Sequence, residues 1–597
     1  MSNLKRSGSY PIHSSAYTAS TTTSQTLSAV DHNTPLPSSI RALKDSSAAN
    51  GHQRTLVICL DGTGDRFDSD NSNVVHFVSC LKKHAPDQQV TYYQSGIGTY
   101  DEGGIQNGIG AALDKAVGSG LGNHIKDSYR FLMQHYREGD KICLLGFSRG
   151  AYTVRCLAGM LHKVGLLPAG NVAQIHFAYA FYKDDSPAGW KMSAQFKNTF
   201  CTDVEVYFIG VWDCVASVGF IPRTLPFSHS PTNSIHYFRH AMALDEHRSK
   251  FDVSRWGQQD PDVKKRDKVD VTARKTGLPG GSARGKKPVD DGKTANGTSN
   301  HMANGMGTPD PSHDACAHHL LNGEGDDHSF AAETNGKNIL KKLRLPDTAD
   351  DEEQAKLEAF FEAYENSKGP AVKTNALEVW FRGAHADIGG GAVANGVRHQ
   401  LSRIPLRWMF RQCFECDTGI LFDTASLIEQ GLDVHTLYPV YQPPTQPICG
   451  PPPTLMDKYA RSRMPPLHWR RALFSIRDDG ASEAKEDAGC KDHPIPPHLS
   501  LISEATESYF DAMAPVNDQL TLAKTWWLLE FWPVKLWMLA SSSGTEWVKK
   551  LGFNMGRHRA VRESEPKMHW TVRHMVEEGK YNVKARMHRG AHWEVVA

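Results

Sequence analysis

Ser148 stands at the centre of the sequence Gly146-Phe-Ser-Arg-Gly150. An apolar run, Ile142-Cys-Leu-Leu145, precedes this G-x-S-x-G motif, and small and apolar residues at helical spacing follow it. A strand that turns sharply into a helix between glycines presents a serine hydroxyl at the top of a sheet, near the positive end of the helix. The pattern predicts a nucleophilic serine. The alternative is an ordinary strand–helix turn with a capping serine.

A serine becomes a nucleophile when a base accepts its proton and an acid orients that base. Asp213 and His385 each follow a strongly apolar run of residues. Their order after Ser148, acid and then histidine, is the order of the α/β-hydrolases. We therefore predict a triad of Ser148, His385 and Asp213. Asp387 lies two residues beyond His385 and is the alternative acid.

The tetrahedral intermediate of ester cleavage needs N–H donors for its oxyanion. The backbone N–H of Arg149, directly after the nucleophile, is one predicted donor. The second is expected in the turn after the first strand, at Gly62, where a glycine permits close backbone approach. We expect no cofactor and no metal: the pair Cys413 and Cys416 is an isolated C-x-x-C, without the second pair that a zinc site needs.

The elements that must position these residues alternate along the chain. Continuous apolar runs predict strands, and one helix is expected over residues 125–136 and another directly after Ser148. The predicted strands are Thr55–Leu60, Val90–Tyr93, Ile142–Leu145, Val204–Val211 and Leu377–Phe381. Strands that alternate with helices predict an α/β fold, a mostly parallel sheet with helices on both faces. Such sheets carry their chemistry at the carboxyl ends of the strands.

Composition divides the chain into regions. Residues 1–53 are rich in Ser and Thr and predict a disordered tail, and residues 54–415 hold the predicted catalytic domain. A polar, aperiodic stretch over about 256–341 predicts a disordered insertion within that domain. Residues 416–597 predict a mainly helical region packed on the core, with a helix over Thr521–Ala540.

That predicted helix contains a tryptophan-rich segment, Trp526 to Trp537. Tryptophan favours membrane interfaces, where its ring is apolar and its N–H stays hydrated. Two interpretations stay open: a helix buried against the core, and a peripheral membrane contact. The sequence contains no run of 18 or more apolar residues, so we predict no membrane-spanning helix.

Charge and cysteine usage limit the classes of partner and compartment. The formal net charge is +1, and no basic stripe is interleaved with aromatic residues, so nucleic-acid binding is not expected. The 11 cysteines are scattered without a framework spacing, which is typical of a reducing compartment. We expect a cytoplasmic protein, associated with a membrane if the tryptophan-rich segment contacts lipid.

Five motifs together resemble one known family. They are Leu60-Asp-Gly-Thr63, the glycine loop at Gly96, Gly146-Phe-Ser-Arg-Gly-Ala151, Gly210-Val-Trp-Asp213 and Trp380-Phe-Arg-Gly-Ala-His-Ala-Asp-Ile-Gly-Gly-Gly391. The chain resembles the α/β-hydrolase domain family that includes the Tle-class phospholipase effectors of bacterial type VI secretion. The resemblance covers about residues 54–415 without the insertion, and it implies a triad at Ser148, Asp213 and His385. The tail, insertion and tryptophan-rich region resemble the fungal members.

The function predicted from these residues is hydrolysis of a carboxylic ester, with a small-molecule ester, a lipid or a phospholipid as substrate. One alternative is a catalytically silent, hydrolase-like scaffold that binds a partner, because an intact triad is necessary for activity but not sufficient. A second is phosphoryl transfer through Asp61-Gly-Thr63, which resembles the loop of aspartate-nucleophile phosphatases but leaves Ser148 and His385 without a role.

Overall fold

The computed structural model describes a large part of the chain and leaves out several stretches. The described residues are 35–49, 53–96, 108–216, 225–228, 234–256, 354–359 with 361 and 363, 373–444, 450–477, 501–540, 546–588 and 590–597. The predicted insertion, apart from Trp256, and residues 1–34 of the predicted tail lie outside this set.

Between Thr55 and Trp212, at least one helix separates each strand from the next along the chain. The strands are β1 (Ser39–Arg41), β2 (Thr55–Leu60), β3 (Gln89–Gln94), β4 (Lys141–Phe147), β5 (Val206–Trp212), β6 (Ile235–Ala243), β7 (Asn375–Phe381), β8 (Leu421–Asp423), β9 (Pro533–Leu539), β10 (Trp547–Phe553), β11 (Ala560–Val561), β12 (Lys567–His569), β13 (Arg586–Met587) and β14 (Glu594–Val596). The helices are α1 (Asn73–Ser79), α2 (Gly108–His135), α3 (Ser148–Val164), α4 (Ile175–Lys183), α5 (Pro187–Phe200), α6 (His385–Gly389), α7 (Arg403–Glu415), α8 (Thr424–Glu429), α9 (Pro453–Ala460), α10 (Glu504–Ala512), α11 (Gln519–Leu522), α12 (Trp527–Glu530) and α13 (Trp570–Glu577).

Eight of the strands form one sheet in the order β14-β12-β7-β6-β5-β4-β2-β3. Every neighbouring pair in it is parallel. Strand β2 is buried along its whole length, because helical crossovers cover both faces of a parallel sheet. The predicted α/β architecture is confirmed.

The two faces of the sheet pack against different helices. On one face Val57 and Cys59 of β2 join a core with Phe77 of α1 and Phe410 of α7. On the other, the alternate residues of β2 join a core with the apolar side of α3. Each fully buried Leu, Ile or Phe side chain contributes about 1.5–3 kcal/mol relative to an exposed one. Both faces therefore hold the sheet rigidly beneath its carboxyl edge.

The sheet order places a switch point beside β2. From β2 the chain first adds β3 on one side and then crosses to β4 on the other. Diverging crossovers leave a crevice at the carboxyl ends of the strands, which is where such sheets bind ligands. The residues after β2, β4, β5 and β7 all meet at this edge.

Three elements differ from the predictions. Residues 35–49 belong to the predicted disordered tail, yet Ser39–Arg41 pairs antiparallel with Leu421–Asp423 and Ile40 is buried, so apolar side chains anchor this stretch. The predicted helix over Thr521–Ala540 is wrong in its second half, where β9 pairs with β10 as a hairpin. Strand β6 was not predicted.

The C-terminal region contains the helices expected of it and adds strands as well. Strand β12 pairs with β7 through Met568 and Trp380, and β14 pairs with β12. The main sheet is therefore completed by residues more than 150 positions beyond the predicted catalytic domain's end at 415. No helix in the described part of the chain is long and apolar enough to cross a membrane.

Candidate active site

The turn between β4 and α3 holds Ser148 in a conformation that L-residues seldom adopt. Its φ is +56°, in the left-handed region. A Cβ atom on Gly146 would lie 2.7 Å from the backbone of Gly150, and a Cβ on Gly150 would lie 2.3 Å from the carbonyl oxygen of Leu60. The two glycines are therefore required by close backbone contacts. The turn has the strained strand–helix geometry that exposes a nucleophilic serine.

Ser148, His385 and Asp213 form a continuous chain of hydrogen bonds. The Nε2 atom of His385 lies 2.8 Å from Ser148 Oγ, and its Nδ1 atom lies 2.6 Å from Asp213 Oδ2. With a neutral ring, Nδ1–H donates to the carboxylate and Nε2 accepts from the serine hydroxyl. The structure thus brings together the three residues that the sequence singled out, from the ends of β4, β5 and β7.

Two aromatic rings enclose His385. The ring of Phe147 is 4.7 Å from the imidazole and that of Phe251 is 4.9 Å away, between ring centroids. Burial lowers the pKa of His385, and this outweighs the hydrogen bond and charge of Asp213, which act in the opposite direction. A neutral imidazole is the form that can accept a proton from serine.

Asp213 is fully buried and saturated with donors. Arg559 Nη1 donates to its Oδ1 atom at 2.6 Å and Arg559 Nη2 to its Oδ2 atom at 2.8 Å, while the backbone N–H of Ala243 donates to Oδ1 at 2.9 Å. Burial alone would raise the pKa of Asp213, but the charge of Arg559 and the His385 hydrogen bond together hold it well below its usual value. The carboxylate is therefore ionised at neutral pH.

The alternative acid, Asp387, turns away from His385. Its Oδ2 atom accepts the backbone N–H groups of Ala384 and Asn517, both at 2.9 Å, and its Oδ1 atom accepts the Asn517 side-chain amide at 2.6 Å. Burial raises the pKa of Asp387 to about 6. Asp387 thus connects the His385 loop to the C-terminal region, and the place beside His385 Nδ1 belongs to Asp213.

Comparison with known proteins adds the family. A model of the type VI secretion Tle1-like phospholipase effector, catalytic domain, matches residues 54–412. The chain belongs to the Tle1-like phospholipase effector family. The matched range begins just before β2 and ends within α7.

Similar proteins include a yeast protein and two solved structures. The uncharacterized protein YEL023C of Saccharomyces cerevisiae is 25% identical over 580 residues, which cover 89% of this chain and 80% of that protein. A solved structure of an uncharacterized protein from Pseudomonas aeruginosa matches at 12% identity and TM-score 0.30, covering 71% of this chain and 53% of its own. The Tle1 effector bound to the VgrG spike matches at 18% identity and TM-score 0.20, covering 34% and 47%. The chain spans about half the length of these solved structures.

The two predicted oxyanion donors, the N–H groups of Arg149 and Gly62, have different surroundings in the structure. Arg149 lies in the first turn of α3, where N–H groups have no acceptor within the helix. The loop at Gly62 lies against Phe147, since a Cβ on Gly62 would be 2.8 Å from that ring. In this structure, however, Gly62 N–H donates to its neighbour Asp61 at 2.9 Å. The hydroxyl of Thr63, also in this loop, is buried and without a partner among the described residues.

Two further charged residues support the triad and were not predicted. Glu246 accepts the backbone N–H of His385 at 3.2 Å and pairs with Arg248 through Oε2 at 2.9 Å. Arg559 lies beyond the matched Tle1-like domain, in the C-terminal region. Nothing in the local sequence distinguishes it from the other arginines there, because its role depends on a contact made only in the folded chain.

The isolated C-x-x-C pair lies in the apolar core. Cys413 and Cys416 are both fully buried, among phenylalanine and leucine side chains. Burial raises the pKa of Cys416 to about 12, so this thiol stays protonated and is a poor metal ligand. Within the described ranges, no group of three or more His, Cys, Asp or Glu side chains is arranged to hold a metal ion.

Proposed function

We propose that this protein is a serine hydrolase that cleaves a carboxylic ester of a lipid through an acyl-enzyme intermediate. The observation that carries the proposal is the hydrogen-bonded chain from Ser148 through His385 to Asp213. Its position within a Tle1-like phospholipase domain favours a lipid, including a phospholipid, as substrate.

The proposed reaction uses each triad residue in a defined role. Ser148 Oγ attacks the ester carbonyl carbon while His385 Nε2 accepts its proton. Asp213 stabilises the imidazolium and keeps Nε2 facing the serine. The imidazolium then protonates the leaving alcohol, and water, activated by the same histidine, releases the acid from Ser148.

Arg149 N–H is the proposed first donor to the oxyanion. The second comes from the loop after β2: the Gly62 N–H once it leaves Asp61, or the Thr63 hydroxyl, which is buried and unpaired in the described structure. Removing one such donor lowers kcat by about 10²–10³-fold in serine hydrolases.

Labelling and hydrolysis test the proposal together. A fluorophosphonate probe should label the wild-type protein and fail to label the Ser148→Ala variant. Turnover on a panel of short-chain esters, monoacylglycerols and phospholipids should fall by about 10⁴–10⁶-fold for Ser148→Ala, and the double change with His385→Ala should cost little more than either alone. Both single variants should unfold at wild-type temperatures. An unlabelled, inactive wild-type protein would favour the silent scaffold instead.

A second part of the proposal concerns where the lipid comes from. Six large apolar side chains are exposed on or directly after α11, α12 and β10. We call them the apolar cap: Leu522, Leu528, Phe531, Leu551, Phe553 and Met555. Leu528 is 77% exposed and Leu551 60%. Of the two interpretations of the tryptophan-rich segment, a helix buried against the core does not account for this exposure. We propose that the apolar cap contacts a membrane.

The apolar cap is fixed directly beside the triad. Trp526 packs edge-on against Phe251 at 5.4 Å, and Phe251 packs against His385. The buried carboxylate of Glu530 accepts Ser249 N–H at 2.6 Å and the side-chain amide of Asn554 at 2.8 Å, which connects α12 to the core and to the hairpin. A membrane bound at the cap would lie near His385, because Trp526 and Phe251 connect the two.

Charge on the same segments favours an anionic lipid surface. Four exposed lysines, Lys524, Lys535, Lys549 and Lys550, flank the apolar cap, against one exposed acid, Glu546, in the described parts of 519–540 and 546–555. Each lysine near an anionic bilayer contributes about 1 kcal/mol of attraction. With the scattered cysteines of the sequence, this arrangement supports a cytoplasmic enzyme that contacts a membrane peripherally.

Vesicle sedimentation tests the membrane contact. The wild-type protein should bind phosphatidylcholine–phosphatidylglycerol vesicles more tightly than phosphatidylcholine vesicles, and less tightly as salt rises. A Leu528→Ser, Phe531→Ser variant should lose most binding and most activity on vesicles, yet keep its activity on a dissolved short-chain ester. Phe177→Ser removes a side chain on α4 that is 57% exposed, close to the 59% of Phe531, and is the control. Unchanged binding by the cap variant would exclude this surface.

A further inference from the structure

Arg559 is a buried arginine of the C-terminal region that reaches the triad acid. It immediately precedes β11 and is 5% exposed, while Asp213 is fully buried. Its two terminal nitrogens lie 2.6 and 2.8 Å from the two carboxylate oxygens of Asp213. This is the two-pronged pairing in which the planar guanidinium fixes both position and orientation of a carboxylate.

The remaining donors of Arg559 fix it to the core. Its Nε atom donates to the carbonyl of Phe251 at 2.9 Å, Nη1 donates to the carbonyl of Ala243 at 3.1 Å, and Nη2 also donates to Phe251. All five N–H groups thus have acceptors. A buried ion pair of this kind is stable only when the remaining hydrogen-bonding groups are satisfied, and here they are.

We infer that Arg559 is a positioning residue for the triad, which keeps Asp213 ionised and turned so that Oδ2 faces His385. The inference rests on the proposed function and adds to it a residue from outside the matched domain. Arg559 touches neither Ser148 nor His385 through a hydrogen bond, so it acts through Asp213. The active site is then complete only with the C-terminal region present.

The charge of Arg559 also affects the base. Asp213 favours the imidazolium form of His385, and a guanidinium on the same carboxylate weakens that effect. The other charged groups facing His385 are Glu246 and Arg248, which pair with each other. Asp252 and Glu246 face Arg559 in addition to Asp213. Removing the guanidinium would therefore leave Asp213 as the dominant, unbalanced charge beside the histidine.

Removing the Arg559 guanidinium has two effects, and both shift the pH dependence of kcat/KM in the same direction. Without Arg559 the pKa of His385 rises, because the aspartate charge acts on it undiminished. The pKa of Asp213 rises too, because only the contacts with His385 still oppose the effect of burial. The active form needs a neutral His385 and an ionised Asp213. Each change therefore moves the acid limb of kcat/KM to higher pH.

Three variants separate positioning from plain structural support: Arg559→Met, Arg559→Lys and Arg586→Met. Kinetics are measured per fluorophosphonate-labelled site, which corrects for unfolded protein. Arg559→Lys keeps the charge but loses the fork, so kcat should fall by about 10–100-fold, the usual effect of a small misplacement, with the acid limb unmoved. Arg559→Met should lower kcat at least as much and move the acid limb to higher pH.

Arg586 provides the matched control. Its side chain also donates to backbone carbonyls, of His558 and Trp537, both at 2.6 Å, but not to Ser148, His385 or Asp213. Its backbone N–H donates to the carbonyl of Arg559 at 2.8 Å, and the substitution keeps that bond. Arg586→Met should lower the unfolding temperature and leave the pH profile of the labelled fraction unchanged.

The inference would be overturned if Arg559→Lys had the wild-type kcat per labelled site. It would also be overturned if the acid limb of the kcat/KM profile in Arg559→Met stayed at the wild-type pH. If Arg559→Met yields no folded protein, the kcat of Arg559→Lys alone decides. A wild-type protein that neither labels nor hydrolyses esters would instead refute the proposed function, so the two failures are distinguishable.

Discussion

At the scale of single residues, the proposed site depends on one buried histidine whose ring is held neutral. His385 packs against the rings of Phe147 and Phe251, and its Nδ1–H donates to the carboxylate of Asp213. That carboxylate is shared with Arg559, so its effect on the ring is partial. Burial therefore decides the protonation state, and the imidazole is ready to act as a base without first losing a proton.

The first prediction concerns pH. Because burial lowers the pKa of His385 below its ordinary 6.5, the neutral, active form should persist below that pH. The acid limb of kcat/KM on a soluble ester should therefore have its midpoint below 6.5, provided the protein stays folded over the range. Circular dichroism at each pH provides the control. A midpoint above 6.5 would show that the charge of Asp213 outweighs burial.

The second prediction distinguishes the two acids. Asp213→Asn should lower kcat by about 10⁴-fold, because the amide no longer holds the ring in the required tautomer. Asp387→Asn leaves that hydrogen bond in place but replaces one of the two acceptor oxygens with an NH₂ group, which faces a donor of Ala384 or Asn517. It should therefore cost about 1–3 kcal/mol of stability with a much smaller loss of kcat. Urea denaturation and kinetics per labelled site provide the two measurements. Equal losses of kcat would place Asp387 in the machinery as well.

At the scale of elements, the strand–turn–helix around Ser148 is the feature most fully specified by local sequence. The apolar run, the two glycines and the apolar helix face are contiguous, so their pattern predicted the turn directly. Strand β6 was missed because IHYFRHAMA mixes charged and polar residues into a strand buried in the sheet. Its Arg239 and His240 are satisfied by residues far along the chain, Gln412 and Glu378.

Contacts that a segment's own sequence does not show explain the other failures of prediction. The strand β9 exists because it pairs with β10, and its tryptophans alone favoured a helix equally well. Arg559 and Glu246 reach the triad through contacts with residues more than 100 positions away. The three residues of the proposed triad could be chosen from the sequence, since each stands at or shortly after the end of an apolar strand.

The third prediction tests the turn. Gly150→Ala adds a Cβ 2.3 Å from the carbonyl oxygen of Leu60 and 2.4 Å from that of Asp61, and neither backbone atom can yield cheaply. We expect destabilisation of about 1–3 kcal/mol or more, with loss of fluorophosphonate labelling, because α3 must shift away from β2. Gly170→Ala meets nothing within 4 Å and is the control. Normal labelling of Gly150→Ala would show that the turn tolerates a side chain.

At the scale of the whole molecule, the matched Tle1-like domain and the C-terminal region share one core. Strand β12 pairs with β7, next to the strand end that carries His385. Helix α10 packs on α7, where Arg411 pairs with Glu504 at 2.6 and 2.7 Å and Arg407 pairs with Asp511, all four buried. The boundary near residue 415 is therefore a boundary of family resemblance and crosses the middle of the fold.

The last prediction follows from that shared core. A chain ending at residue 415 would leave Arg407, Arg411 and Asp213 without their buried partners. Removing one partner of a buried pair costs about 3–5 kcal/mol. Three such losses together are comparable to the whole free energy of unfolding of a folded domain, about 5–15 kcal/mol. We expect residues 1–415 alone to be insoluble or unfolded and unlabelled by fluorophosphonate. Co-expression with residues 416–597 should restore labelling, because the lost contacts need no covalent link; a folded, labelled 1–415 fragment would instead show that the Tle1-like domain holds its triad without Arg559.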